Sequence, residues 1–343
     1  MSQRPTTNRP PKALDGNHHI TGNTADVQAN VDFWCRIMGL KFVKKTLNFE
    51  TTFRYHTYYS DAEGTRGSVV TFLEFNDAPK AKPAKGNHAA AILRVRSTEA
   101  LDWWMDRLTQ EQIFSELHRL DPSQPTRLAF EDFEGHKVEL MVSDAKDKPL
   151  AAPAQDIPEP YRITGIEGIR SYATLDELQP WAEHMGFVRN DALQRFELQG
   201  ANKSARWYVA PLPDGDAPFQ EIGVGLWHHL ALDADDDLAG WRDYAHSGPI
   251  PTTPIYDHHV FDSCYTLTPG GIIELCNDRP GFMGDQPYEE LGERLSLSKR
   301  VEPLRARLER ELTPITNPRR PDGSLKSGPA AGAAKAGKEK VAN

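Results

Sequence analysis

Four times along this chain a short strand-like segment gives way to a helix and then to further strands. No single unit of that kind can cover both faces of its own sheet, so the units must pack on one another. The first has a strand at 18–24 and a helix at 27–38 that Gly39 is placed to stop. Strand-like segments rich in Val, Tyr, Phe and Thr follow at 40–49, 54–60 and 68–75. The second unit has a strand at 89–95, a helix near 99–108 and a strand at 137–142. The third runs through a strand at 168–174, a helix at 175–185 and a strand-rich stretch at 187–211. The fourth has a strand at 227–233, a helix at 237–246 and a strand at 272–277. The units share an order of elements and almost no identity. The expected class is α+β: four βαβββ modules in two paired halves, with curved mixed sheets enclosing a cavity.

Proline and small-residue content divides the chain. Pro149, Pro153, Pro158 and Pro160 crowd a linker at 148–160 that can hold neither a regular strand nor a helix. The first pair of modules is expected at 17–147 and the second at 161–315. A flexible N-terminal segment, 1–16, precedes them. A disordered C-terminal tail, 316–343, follows, ending in a stretch built largely from Gly, Ala, Lys and Ser. A net charge of -9 argues against nucleic acid or an anionic membrane as the main partner. No apolar run approaches the roughly 18 residues of a membrane span, and the polar, Pro-rich start is no secretory signal. Cys35, Cys264 and Cys276 have no zinc-type spacing, which suits a reducing cytoplasm.

The chemistry is concentrated in two histidine doublets, each followed by an aliphatic residue: Asn17-His18-His19-Ile20-Thr21 and Trp227-His228-His229-Leu230-Ala231. After the second comes Tyr265-Thr266-Leu267-Thr268-Pro269-Gly270-Gly271-Ile272-Ile273-Glu274, a strand, a turn, and a strand carrying one carboxylate. Two imidazoles and a carboxylate on fixed strands are what a metal with open coordination positions needs. Strand alternation sends only one histidine of each doublet into the cavity, without saying which. Glu274 stands among Ile272, Ile273 and Leu275, where an unpaired carboxylate is costly. Tyr265 is placed to reach a substrate oxygen near the metal. His258 and His259, upstream of it, offer a group titrating near neutral pH. His88 and Glu139 echo the second doublet and its carboxylate, but 168–174 holds no histidine, so a second complete site is not expected. Glu74 is a weaker candidate for a fourth ligand. Phosphate-binding loops and nucleophile elbows are missing.

These motifs resemble the vicinal-oxygen-chelate superfamily of glyoxalases and extradiol ring-cleaving dioxygenases. The run from Tyr265 to Glu274, with Thr268, Pro269 and Gly271, is similar to the extradiol signature. Cys264 and Tyr256 depart from it. The pattern is most similar to the para-hydroquinone and methylhydroquinone-type ring-cleaving enzymes, as are Val43 to Asn48 and Tyr55-His56-Thr57-Tyr58-Tyr59. Their pattern implies metal ligands His19, His229 and Glu274, with catalytic roles for Tyr265 and His258. His18, Thr21, His228 and His259 would then support the metal or line the substrate site. It further implies Fe(II), with Mn(II) or Zn(II) as alternatives, and a small aromatic substrate together with O₂. The family often has Arg where this chain has His258. A catechol enzyme would carry a histidine where this chain reads Ile169-Arg170-Ser171-Tyr172, so the expected substrate is a substituted hydroquinone. Two alternatives share the fold: a glyoxalase-like metal-dependent lyase or isomerase, and a non-catalytic small-molecule-binding protein. A homo-oligomer is compatible with the sequence.

Overall fold

A computed structural model describes residues 8–10, 12–48, 53–118, 126–213 and 217–327. Phe49, residues 1–7 and the tail beyond 327 therefore lie outside the described residues.

The first group of elements is β1 (Asn17–Thr24), α1 (Val27–Val31), β2 (Lys41–Leu47), β3 (Tyr55–Ser60) and β4 (Val69–Glu74). α1 continues without a break into a wider π-helical stretch, Asp32–Ile37. The second comprises β5 (His88–Val95), α2 (Thr98–Gln110), β6 (Ser115–His118), β7 (Arg127–Glu131) and β8 (Lys137–Val142). The third comprises β9 (Ile166–Tyr172), α3 (Leu175–His184), β10 (Val188–Asn190), β11 (Arg195–Gln199) and β12 (Ser204–Ala210). The fourth comprises β13 (Trp227–Asp233), α4 (Leu238–Ser247), β14 (Tyr256–Asp257), β15 (Asp262–Thr268) and β16 (Gly271–Cys276); α5 (Arg305–Glu311) follows. None of the described helices is long and apolar enough to cross a membrane.

Local chemistry sets where the main helices begin. Asp26, Ser97 and Asp237 each accept a hydrogen bond from a backbone N–H in the first turn, and Thr174 forms a reciprocal capping box with Glu177. Such caps contribute about 1 kcal/mol each. The first helical stretch ends as expected at Gly39, whose φ of +76° a side-chain-bearing residue adopts only with strain. Each group's helix then plants one tryptophan in the core: Trp34, Trp104, Trp181 and Trp241 are all essentially fully buried. Truncating such a side chain typically costs about 3–5 kcal/mol.

In every group the first strand lies parallel to the last: β1 with β4, β5 with β8, β9 with β12, β13 with β16. The groups join through their first strands, antiparallel, β1 to β13 and β5 to β9. Within the sheet the two joined pairs connect at the bridge Trp227 to His88. This corrects the expected arrangement of pairs. The halves either side of the linker are interleaved, the first group pairing with the fourth and the second with the third. A first strand bonded to its own fourth strand on one side must find a partner for its other edge, and here that partner lies in the other half.

Both flanking segments also pack further than composition suggested. Leu14 is fully buried, and Asp15 accepts hydrogen bonds from the backbone and side chain of Asn202 at 2.7 and 2.9 Å. Beyond residue 315, Arg319 is 2% exposed and donates to Cys35 O, Gly323 O and Asp156 Oδ1. A guanidinium that satisfies the carbonyl end of the first helical stretch holds residues 316–327 against the body of the fold.

Candidate metal centre

β1, β13 and β16 lie side by side, and their register assembles the site. Ala231 on β13 is the pairing partner of His19 on one side and of Glu274 on the other. Paired residues face the same way, and His229, two positions before Ala231, shares that face. The row His19–Ala231–Glu274 thus has only a methyl group at its centre. His19 Nε2 lies 2.9 Å from Glu274 Oε2, His229 Nε2 lies 3.1 Å from the same oxygen, and the two nitrogens are 3.2 Å apart.

The doublets break the expected alternation. Asn17 pairs with Leu232 and His19 with Ala231, so two residues of β1 span one step of β13 and His18 is the extra one. Thr21 pairs with His229 and Gly22 with Trp227, so His228 is the extra residue on β13. A bulge turns adjacent side chains toward one another. Both doublets consequently form ring pairs, with Nδ1–Nδ1 distances of 2.9 Å for His18–His19 and 2.7 Å for His228–His229.

The first pair fixes a tautomer. Asn277 O can only accept, so His18 Nε2 donates to it at 2.9 Å. Burial, with His19 beside it, holds His18 neutral, its pKa well below the usual value. His18 Nδ1 must then accept from His19 Nδ1–H, which leaves a lone pair on His19 Nε2 directed at Glu274. The His228–His229 pair has the corresponding arrangement open to it, with the Thr21 hydroxyl 2.7 Å from His229 Nε2. Glu274 is fully buried, and neither of its oxygens has a hydrogen-bond donor. The 2.9 Å approach of His19 Nε2 is therefore lone pair facing lone pair, the arrangement that a shared cation resolves. The donor set fits a divalent metal. His18, His19 and Cys276 also lie close enough to hold an ion. That set fits less well: both His18 nitrogens are engaged, and burial keeps the Cys276 thiol protonated.

A cavity of about 530 Å³ opens beside the triad. His228, His258, Phe261 and Tyr265 line it from the fourth group, His56 and Leu73 from the first. Tyr265 OH lies 3.0 Å from His258 Nε2. Burial and the nearby Glu274 keep the phenol protonated and burial lowers the pKa of His258, so which of the two donates across this contact follows the imidazole tautomer. His259, expected beside the substrate, does not line this cavity; its Nε2 bonds Ser296 Oγ at 2.8 Å. Glu74 is not a ligand either: its carboxylate accepts from Tyr55 N. His88 is engaged with Ser171 Oγ and Ile272 O.

His56 is a cavity histidine that had no role from sequence. It is held between Thr71 Oγ1 and Tyr58 OH, at 2.5 and 2.8 Å. Period-two alternation places His56 and Tyr58 on one face of β3, which was the available signal.

The β5–β9 pair repeats the bulges without the ligands. The extra residues there are Ala89 and Glu167, followed by Ala90 and Gly168. Glu139, the echo of Glu274, is bonded by Arg170 through Nε and Nη2 at 2.9 and 2.7 Å. A guanidinium supplies the positive charge on that side of the molecule.

Comparison with known proteins agrees with this geometry. Residues 16–140 match the family described as the Glyoxalase/Bleomycin resistance protein/Dioxygenase superfamily. The chain is similar to MhqA of Bacillus subtilis (strain 168), provisionally named a ring-cleaving dioxygenase, with 31% identity over 88% of this chain and 99% of that protein. It is 24% identical to the chlorohydroquinone/hydroquinone 1,2-dioxygenase of Sphingobium indicum, over 88% of this chain and 97% of the other. A crystal structure from Bacillus subtilis, provisionally described as a dioxygenase, superposes with a TM-score of 0.78 at 25% identity, covering 89% of this chain and 99% of that one. Glyoxalase I from Zea mays shares the fold alone, with a TM-score of 0.52 at 10% identity over 76% of this chain and 92% of that one.

Proposed function

The chain belongs to the glyoxalase/bleomycin resistance protein/dioxygenase superfamily, the vicinal-oxygen-chelate proteins, and on that premise we propose that it uses Fe(II) and O₂ to open the ring of a substituted hydroquinone. The observation that carries this reading is Glu274: a fully buried carboxylate without a donor, facing two imidazole nitrogens at 2.9 and 3.1 Å beside a ligand-sized cavity. Relatives named for ring cleavage, one of them for hydroquinones, support the choice of substrate class.

Held by His19, His229 and Glu274, a metal would supply Lewis-acid and redox chemistry to the substrate and O₂. The rest falls to the chain. His258, held neutral, is placed to accept a phenolic proton, and Tyr265 to orient the oxygen that releases it. Phe261 packs against His19 with ring centroids 5.0 Å apart, walling the ligand from bulk water. His18 keeps the lone pair of His19 aimed inward.

An oxygen-electrode screen of the Fe(II)-loaded protein against hydroquinones, catechols and hemithioacetals tests the proposal. Consumption of O₂ with a substituted hydroquinone, together with a ring-opened product, is expected. Turnover of catechols alone would overturn the substrate class. O₂-independent turnover of a hemithioacetal would place the protein among the lyases, and tight binding without turnover among the binding proteins.

A further inference from the structure

The turn that carries His258 into the cavity is strained at its next residue. His259 has φ +74°, a left-handed conformation that is uncommon for a residue bearing a side chain and that persists where its surroundings hold it. A local bond and two segments distant in sequence, β2 and the C-terminal segment, hold it here. His259 N donates to Asp257 Oδ1 at 2.7 Å, closing the turn locally. The His259 imidazole points away from the cavity to Ser296 in the C-terminal segment, Nε2 to Oγ at 2.8 Å. Ser296 Oγ bonds Asp285 Oδ2, and Lys44 of β2 bonds Asp285 Oδ1, each at 2.5 Å. Lys44 and Ser296 are buried, and the C-terminal segment is tied to β2 again by Ser296 N to Lys45 O at 2.9 Å.

The donors can be assigned. A carboxylate only accepts, so Ser296 gives its hydrogen to Asp285 and must itself accept from His259 Nε2–H. The order is the reverse of an activated serine, whose hydrogen would go to the imidazole. The chain of bonds therefore performs no chemistry of its own; it holds one backbone conformation. On the other side of the turn, His258 N bonds Phe261 O at 2.9 Å and Gly281 N bonds Val260 O at 2.9 Å, so the turn moves as a unit with His258 and Phe261.

We propose that His259 is a positioning residue: the Lys44–Asp285–Ser296–His259 latch locks the left-handed turn so that His258 faces Tyr265 across the cavity. The kinetic side of this inference rests on the proposed ring cleavage; the structural side does not.

His259→Gly is the deciding variant. Glycine adopts φ +74° freely, so if strain alone matters the change is neutral or favourable. If the latch matters, amide hydrogen exchange across residues 256–261 speeds up while bound Fe(II), measured by chelator competition, is unchanged. With a hydroquinone substrate, kcat should fall on the order of tenfold to a hundredfold, with KM little altered, as expected for a misplaced group. Ser296→Ala should act in the same direction, and Ser296→Thr, which keeps the hydroxyl, should restore the wild-type values. In a His258→Gln background, His259→Gly should add no further kinetic loss. Unchanged exchange in both His259→Gly and Ser296→Ala would overturn the latch, and so would an equal kinetic loss with and without His258. Faster exchange in a protein that turns over no hydroquinone even as wild type would support the latch and refute only the ring-cleavage reading.

Discussion

His18 and His19 are adjacent in the chain, yet their Nδ1 atoms lie 2.9 Å apart, because His18 is the extra residue of a bulge. The bulge converts a pair that would face opposite sides of the sheet into a ligand and the group that fixes its tautomer. Replacing His18 with Phe removes the acceptor for His19 Nδ1–H without touching a ligand. Metal affinity should fall about 10–100-fold, the usual effect of losing a partner behind a ligand histidine. Competition with a chromophoric chelator reads this, and unchanged affinity would remove the tautomer lock from the account.

The triad itself makes a stricter demand. His19→Ala, His229→Ala and Glu274→Ala should each lose most bound Fe(II), measured by elemental analysis of anaerobically prepared protein. His19 and His229 come from β1 and β13, on opposite sides of the linker. Full metal occupancy in His19→Ala would therefore refute a site assembled from the first and fourth groups.

His88 gives a pH-dependent stability. Burial lowers its pKa to about 4, so the unfolded chain takes up a proton near pH 6.5 that the folded chain refuses. The stability contribution is whole above about pH 6.5 and drains as pH falls toward 4, amounting to about 2 kcal/mol by pH 5. Urea unfolding at pH 7 and pH 5 should show this loss, and His88→Gln should reduce it. An equal loss in both proteins would assign the effect to other histidines.

Burial lowers the pKa of His258 as well, which moves its expected ionisation below the ordinary histidine value rather than leaving it at neutrality. Activity should be sustained at neutral pH and decline on the acid side as His258 gains its proton. His258→Arg, charged at every working pH, should abolish that acid limb while the metal stays bound. A pH–rate profile with the same acid limb in the variant would remove His258 from proton transfer.

Much of the fold could be read from local patterns, because the signals are local in origin. The strands at 137–142 and 227–233 have the bounds that alternation and composition suggest, and the main helices begin beside their capping residues. The turn and carboxylate between Tyr265 and Glu274 belong to one hairpin, so spacing along the chain carried their relationship. The sequence by itself determined which residues could bind a metal and which segments would be strands. Tertiary structure decided which strands became neighbours, and with that the site. His19 and His229 are separated by 210 positions, and no local pattern states that the first group pairs with the fourth. The bulges at His18 and His228 are register shifts between two strands, a property of neither strand alone. The orientation of His259 likewise depends on Lys44, Asp285 and Ser296, brought to it from two other segments. Backbone preference and amphipathic period are set within a few residues, whereas edge pairing and buried polar satisfaction are settled only when the whole chain has packed.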